Sequence, residues 1–167
     1  MDLKKFIRSI PDYPKKGILF RDITTLIKDK DAFKNCIDKM SEILNKLNYD
    51  KIAGIESRGF IFASPLSYNL SKPYIVLRKK NKLPAETYSV DFELEYGAAT
   101  IEVHKDSINE NESVLIIDDL VATGGTAKAA AKLVEMSKGK VSAFIFVINL
   151  FDLEGAKNLK KDGYNIE

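Results

Sequence analysis

Residues 114–126, Val-Leu-Ile-Ile-Asp-Asp-Leu-Val-Ala-Thr-Gly-Gly-Thr, constrain the fold of this chain more than any other stretch. Val114, Leu115, Ile116 and Ile117 are apolar at every position, so neither face of this strand can meet water. That pattern belongs to a central strand of a parallel sheet with helices on both sides. Asp118 and Asp119 then leave the sheet at its carboxyl edge, where open α/β sheets bind ligands. The small residues Ala122, Thr123, Gly124, Gly125 and Thr126 leave room for a ligand against the backbone. They run into an alanine-rich stretch, 126–134, that favours helix. Amide N–H groups at such a loop and helix start cradle an anion. Two acids before an anion cradle suit a ligand with hydroxyls on one side and phosphate on the other, and a ribose 5-phosphate has that shape.

With its two acids, Ala-Thr-Gly-Gly-Thr loop and apolar strand, the segment resembles the phosphoribosyl pyrophosphate signature of the type I phosphoribosyltransferases. The resemblance implies that Asp118 and Asp119 hold ribose hydroxyls and that Ala122 to Thr126 wrap the 5-phosphate. A second apolar strand, 52–55, ends in Glu56, Ser57, Arg58 and Gly59, which repeats the same logic. Backbone donors, a hydroxyl and a planar guanidinium at a strand tip suit a second phosphate group; on spacing alone, Arg58 could equally pair with Glu56 at the surface. Glu-Ser-Arg-Gly-Phe resembles the pyrophosphate loop of the adenine branch of the family, which implies a non-proline cis peptide at Glu56–Ser57.

A net charge of +2 over 167 residues argues against a nucleic-acid binder that relies on a large positive field, and leaves room only for a local basic patch. The length fits one domain, 1–167, able to bury its own core. A single cysteine, Cys36, allows no internal disulfide and fits a reducing compartment. The amino terminus carries no long apolar run, so neither a signal peptide nor a membrane anchor is expected, and the expected location is the cytoplasm.

In chain order, residues 3–9 suit a short helix ended by Ile10 and Pro11, followed by an irregular loop with Pro14 and Gly17. In residues 17–24, Phe20, Arg21 and Asp22 could grip a flat, polar-edged ring, or Phe20 could be core while Arg21 and Asp22 pair. Residues 10–24 resemble the amino-terminal segment of the adenine branch, a hood of about 1–28. The resemblance implies that Phe20 stacks on the base, Arg21 lies at its edge and the Leu19 backbone reads its N1 and N6 side. Residues 31–47 carry one apolar helix face, with Asp29 or Asp31 as cap and Cys36 as a small core residue. Residues 60–70 suit a helix, kinked or restarted near Pro65.

A third strand, 73–77, ends in a basic run that alone reads as a solvated face; at the same sheet edge as Arg58, Lys79 and Lys82 would add positive charge beside a departing pyrophosphate. Residues 86–103 alternate as a hairpin, which can fold over a site as a lid of about 79–103. Glu93-Leu94-Glu95-Tyr96-Gly97 resembles the family's lid element. By spacing Glu95 only solvates a strand; the resemblance implies a general base that accepts the ring proton, with Tyr96 in the substrate site. His104, the only histidine, reads as structural. Residues 141–150 suit a buried strand, 153–161 an amphipathic helix and 163–166 a terminal strand.

The resulting expectation is a parallel-centred α/β sheet flanked by helices, with a hairpin lid and a small hood. The resemblance implies transfer of 5-phosphoribosyl from phosphoribosyl pyrophosphate to adenine, giving AMP and pyrophosphate. It further implies Arg58 and Glu95 as catalytic residues, a homodimer, and Mg2+ held mainly through phosphoribosyl pyrophosphate near Asp118 and Asp119. Two departures from the family pattern, Thr25 for proline and Ala63 for glycine, bear on packing. The alternatives are another purine base, for which no side-chain donor suited to a 6-oxo group is evident, and a ligand-sensing regulator, for which length and charge leave little room.

Overall fold

A computed structural model describes residues 1–93, 97–150 and 153–167, in two units, Met1–Glu42 and Ile43–Glu167. In the first, a 3-10 turn (Leu3–Phe6) precedes strand β1 (Arg8–Pro11), which pairs antiparallel with β2 (Leu19–Asp22), Ile10 opposite Phe20. The helix expected over 3–9 therefore stops at Phe6. Residues 8–11 find a strand partner whose ladder satisfies backbone groups that a one-turn helix leaves open. The connecting loop carries a cis Tyr13–Pro14 bond and a turn in which Asp12 Oδ1 accepts from Gly17 N at 2.6 Å. Arg21 and Asp22 do not pair with each other: Arg21 donates to the Ser9 hydroxyl, and Asp22 binds Arg8 and the Thr24 amide. Thr25, the residue in place of a proline, accepts from Arg8 N at 3.2 Å and donates to the Phe6 carbonyl at 2.6 Å, linking the amino-terminal strand to helix α1 (Thr24–Ile27).

Helix α2 (Lys30–Leu44) is capped by Asp29, whose carboxylate accepts from Asp31 N and Ala32 N at 3.1 and 2.9 Å. Its stripe of Ala32, Cys36, Ile37, Met40 and Leu44 is buried. Burial pushes the Cys36 thiol up to about 11, which leaves it an inert core residue at neutral pH.

The second unit holds a six-stranded sheet in the order β5-β6-β4-β3-β7-β8. Its strands are β3 (Lys51–Ile55), β4 (Tyr74–Lys79), β5 (Thr87–Glu93), β6 (Ala98–His104), β7 (Ser113–Val121) and β8 (Lys140–Asn149). β4, β3, β7 and β8 are parallel, and β5 and β6 form an antiparallel edge. Helix α3 (Arg58–Leu70) runs through Pro65 without interruption and covers one face, its Ala63 methyl filling the space above Gly54. Helices α4 (Gly125–Met136) and α5 (Gly155–Lys161) share the core of the other face with Val114, Ile116 and Phe144. Both faces are thus covered, as the uninterrupted apolar run of β7 requires. The chain ends on a parallel bridge, Ile166 to Phe144.

Two expectations need correction. β7 does not end before the acids: it continues to Val121, paired with β8 through Asp118–Phe146, Leu120–Ile148 and Val121–Asn149. On its other side, pairing with β3 ends at Gly54–Ile117, so from Asp118 onward the strand has a ladder partner on the β8 side alone. The hairpin is also less free-standing than its alternation suggests. β6 pairs with β4 at Arg78–Glu102 and Lys79–Ile101, and Val90, Ile101 and Val103 lie in the core, so only the part near Glu93 and Ala98 extends past β4. Among the described residues no helix is long and apolar enough to cross a membrane.

Candidate active site

Three parallel strands of the second unit end at the same edge, and the loops that follow them make the site. β3 delivers Glu56 and Ser57 through a cis peptide bond, where the resemblance to the family's pyrophosphate loop implies one. Glu56 turns its carboxylate onto β4: Oε2 accepts from Lys79 N at 2.7 Å and from Arg78 Nε at 3.2 Å. Burial opposes its ionisation, but the Lys79 amide and the Arg78 guanidinium hold it below its ordinary value. The loop after β3 is thereby fastened to the tip of β4. Ser57 is exposed at the start of α3, and Arg58 is the first residue of that helix.

Arg58 does not pair with Glu56. Its Nε lies 3.1 Å from Asp119 Oδ2, and Asp119 is 1% exposed. Gly59 makes this approach possible, since a Cβ there would stand 2.7 Å from the Ile117 carbonyl oxygen and 3.3 Å from Asp118 Cα. Asp118 Oδ1 accepts from Asp119 N at 2.8 Å. Burial first, then the charge of Asp119, holds the Asp118 carboxyl well above its ordinary value. Asp119 is also raised by burial, with Arg58 opposing the shift. Two adjacent acids held out of water beside one guanidinium form a site in which charge is costly until a partner arrives.

Arg58, Asp118, Asp119, Ala122, Thr123, Gly124, Gly125 and Thr126 line one cleft of about 120 Å³. Gly124 adopts φ +88° ahead of α4, a conformation that glycine tolerates best, and turns the loop into the helix. The first amides of α4 lack partners within the helix and carry its positive dipole end, so the cleft has an anion cradle at one end and carboxylates along its wall. The Glu93 carbonyl lies 3.1 Å from where a Cβ on Gly125 would be, which brings the end of β5 against the start of α4.

Lys79 ends β4, and Lys82 follows in the loop, its carbonyl accepting from Arg78. His104 accepts from Ala85 N at 3.3 Å through Nε2, a structural contact within the same hairpin region. Glu95 and Tyr96 lie outside the described residues. Leu19, Phe20 and Arg21 belong to the first unit, where Phe20 meets Tyr13 edge-on at 5.2 Å and Leu19 is 47% exposed.

Sequence reasoning missed Phe146, Arg78 and Gly155. Phe146 sits opposite Asp118 in the β7–β8 register and lines the cleft; only that register reveals it. Arg78 was legible as part of a basic run, but its partner Glu56 was not. Among the described residues no three His, Cys, Asp or Glu side chains converge on a metal site. Two neighbouring carboxylates suit a hard cation whose remaining ligands come from substrate phosphates and water.

The chain matches the model of the phosphoribosyl transferase domain over residues 23–166. It is 72% identical over 167 residues to an adenine phosphoribosyltransferase of Pelagibacter ubique, covering all of this chain and 95% of that one. The crystal structure of adenine phosphoribosyltransferase from Thermoanaerobacter pseudethanolicus superimposes with a TM-score of 0.94 at 49% identity, covering 99% and 95% of the two chains. The enzyme from Saccharomyces cerevisiae, solved with adenine and an imino-altritol bisphosphate, superimposes with a TM-score of 0.90 at 34% identity, covering 99% and 95%.

Proposed function

The chain belongs to the adenine phosphoribosyltransferases of the phosphoribosyl transferase family, and from that premise we propose how its own residues transfer 5-phosphoribosyl from phosphoribosyl pyrophosphate to adenine. The products are AMP and pyrophosphate. The observation that carries the reading is the cleft that joins two desolvated carboxylates to the loop from Ala122 to Thr126, with Arg58 across from Asp119.

The amides of Thr123 to Thr126 bind the 5-phosphate, and Asp118 and Asp119 accept the ribose hydroxyls. As the C1–oxygen bond breaks, positive charge grows on the ribose and negative charge on the pyrophosphate. The two carboxylates favour the first, while Arg58, Lys79, Lys82 and the backbone donors at Ser57 and Gly59 favour the second. Glu56 holds the loop that carries those donors. Phe20 stacks on adenine, the Leu19 backbone reads its amino group and ring nitrogen, and Arg21 contributes at its edge. N9 of adenine bonds to C1, and the surplus ring proton passes to Glu95, with Tyr96 beside it. Asp118 and Asp119 are the residues that would hold Mg2+ brought in with phosphoribosyl pyrophosphate, and the ion would supply charge neutralisation for the leaving group. Family membership also supports a homodimer, and a single cysteine, Cys36, supports a reducing compartment such as the cytoplasm.

A turnover assay with each purine base tests the reading. A site that pairs a buried donor and acceptor with adenine rejects a base of the opposite pattern by about 10⁴ or more. Comparable kcat/KM with hypoxanthine or guanine removes the assignment of the base to Leu19 and Phe20.

A further inference from the structure

The loop that lines the cleft is backed by a glycine far along the chain. Gly155 N donates to the Ala122 carbonyl oxygen at 3.0 Å. A Cβ on Gly155 would lie 2.2 Å from that oxygen, 2.7 Å from Gly124 N and 2.8 Å from the Thr123 carbonyl carbon. The contact is reciprocal, since a Cβ on Gly124 would meet the Gly155 carbonyl oxygen at 3.2 Å and its Cα at 3.3 Å. All of these are backbone atoms, so no rotamer change relieves the crowding. Gly155 itself does not adopt a positive φ, unlike Gly124 and Gly163. Its own dihedrals therefore do not demand glycine; the approach of the loop does. A second tie, Leu150 N to the Val121 carbonyl at 3.2 Å, fastens the same stretch of chain to the residue just before the loop.

We propose that Gly155 is a positioning residue for the phosphate loop: its bare backbone stops the segment from Ala122 to Gly124 from behind, so that the loop amides are aimed at the ligand before it binds. This rests on the ribose-phosphate reading of the cleft. The alanine-rich helix α4 and the loop glycines supply the donors, and Gly155 sets where they stand. Preorganised donors lose their advantage when displaced by a fraction of a hydrogen-bond length.

Steady-state kinetics of Gly155→Ala test it. The added methyl must push the loop toward the cleft, so KM for phosphoribosyl pyrophosphate rises by about 10- to 100-fold, while KM for adenine stays near that of the parent. A purely structural role for Gly155 would instead lower the active fraction, reducing kcat with both KM values unchanged, and that result overturns the inference. If the variant does not fold, amide NMR of the unmutated protein titrated with ribose 5-phosphate answers the same question. Gly155 N–H, bonded to the Ala122 carbonyl without ligand, is expected to exchange slowly before any ligand is added and to keep that protection while the amides of Thr123 to Thr126 shift. Shifts in the loop with Gly155 N–H unprotected in the free protein overturn the inference and leave the ribose-phosphate reading standing. A loop that does not respond to ribose 5-phosphate overturns that reading and the inference with it.

Discussion

Asp118→Asn separates stability from function. In the folded protein the Asp118 carboxyl is raised by burial and by the adjacent Asp119 charge, so its ionisation at neutral pH costs folding free energy. Asparagine is isosteric, and its carbonyl oxygen can keep the 2.8 Å bond from Asp119 N. The close packing of Gly59 on Asp118 Cα is untouched. The attraction of Arg58 for the Asp118 charge is lost as well, but it is smaller than the burial and the Asp119 repulsion that oppose ionisation, and the close contact of Arg58 stays on Asp119. The substitution therefore removes a desolvated charge and a net repulsion, and a gain of about 1 kcal/mol is expected at pH 7. For a chain of this size that raises Tm by about 2–4 °C. A raised folded-state pKa means that the cost exists while the group is ionised and disappears as pH falls through the folded value toward the ordinary 3.8. The Tm advantage should accordingly be largest near neutrality and shrink on acidification. Turnover moves the other way: losing a preorganised charge beside the developing ribose cation lowers kcat by about 10²–10³. Thermal melts between pH 7 and pH 4, with AMP formation measured on the same samples, check both halves. A lower Tm at pH 7, a difference that does not narrow with acid, or undiminished turnover would each refute the reasoning.

Gly59→Ala places a methyl 2.7 Å from the Ile117 carbonyl oxygen. Overpacking costs about 1–3 kcal/mol against a helix-propensity gain of up to about 1 kcal/mol, so denaturant melts should show a net loss, and increased stability would contradict the close approach. In the first unit, Asp22 is lowered to about 2, by the Thr24 amide first and then by Arg8. A depressed folded pKa contributes stability above the ordinary value of 3.8 that is lost as pH falls to about 2. Asp22→Asn should cost about 1 kcal/mol near neutrality, since the Arg8 partner is half exposed. Its Tm deficit should close across that acid window, and a deficit independent of pH would assign the effect to shape alone.

What was legible in the sequence was local. An apolar run with no polar face must be a central strand, so residues 114–117 could be placed before any contact was known. The small residues from Ala122 to Thr126 and the alanines after them defined a loop and a helix by what they lack. Alternation identified the hairpin, since Tyr88, Val90 and Phe92 indeed face Val103, Ile101 and Ala99 across the pair. The Glu56–Ser57–Arg58–Gly59 resemblance placed the cis bond where the fold has it. Partner choice was not legible. Arg58 could reach Glu56 or Asp119, Arg21 could pair with Asp22 or Ser9, and spacing along the chain ranks neither option. The parallel register brings the start of α3 beside β7 and the tip of β4 beside Glu56, and that register assigns the Arg58–Asp119 and Arg78–Glu56 pairs. The length of β7 was undecided for the same reason, because residues past the acids stay in strand only while β8 supplies hydrogen-bond partners. Gly155 is the extreme case: nothing near it in sequence distinguishes it from a helix-start glycine, and its requirement comes from a backbone brought against it from the other side of a strand and a helix. Periodicity and residue size act over a few positions and can be read from the chain, whereas pairing and close approach depend on atoms that only the folded topology brings together.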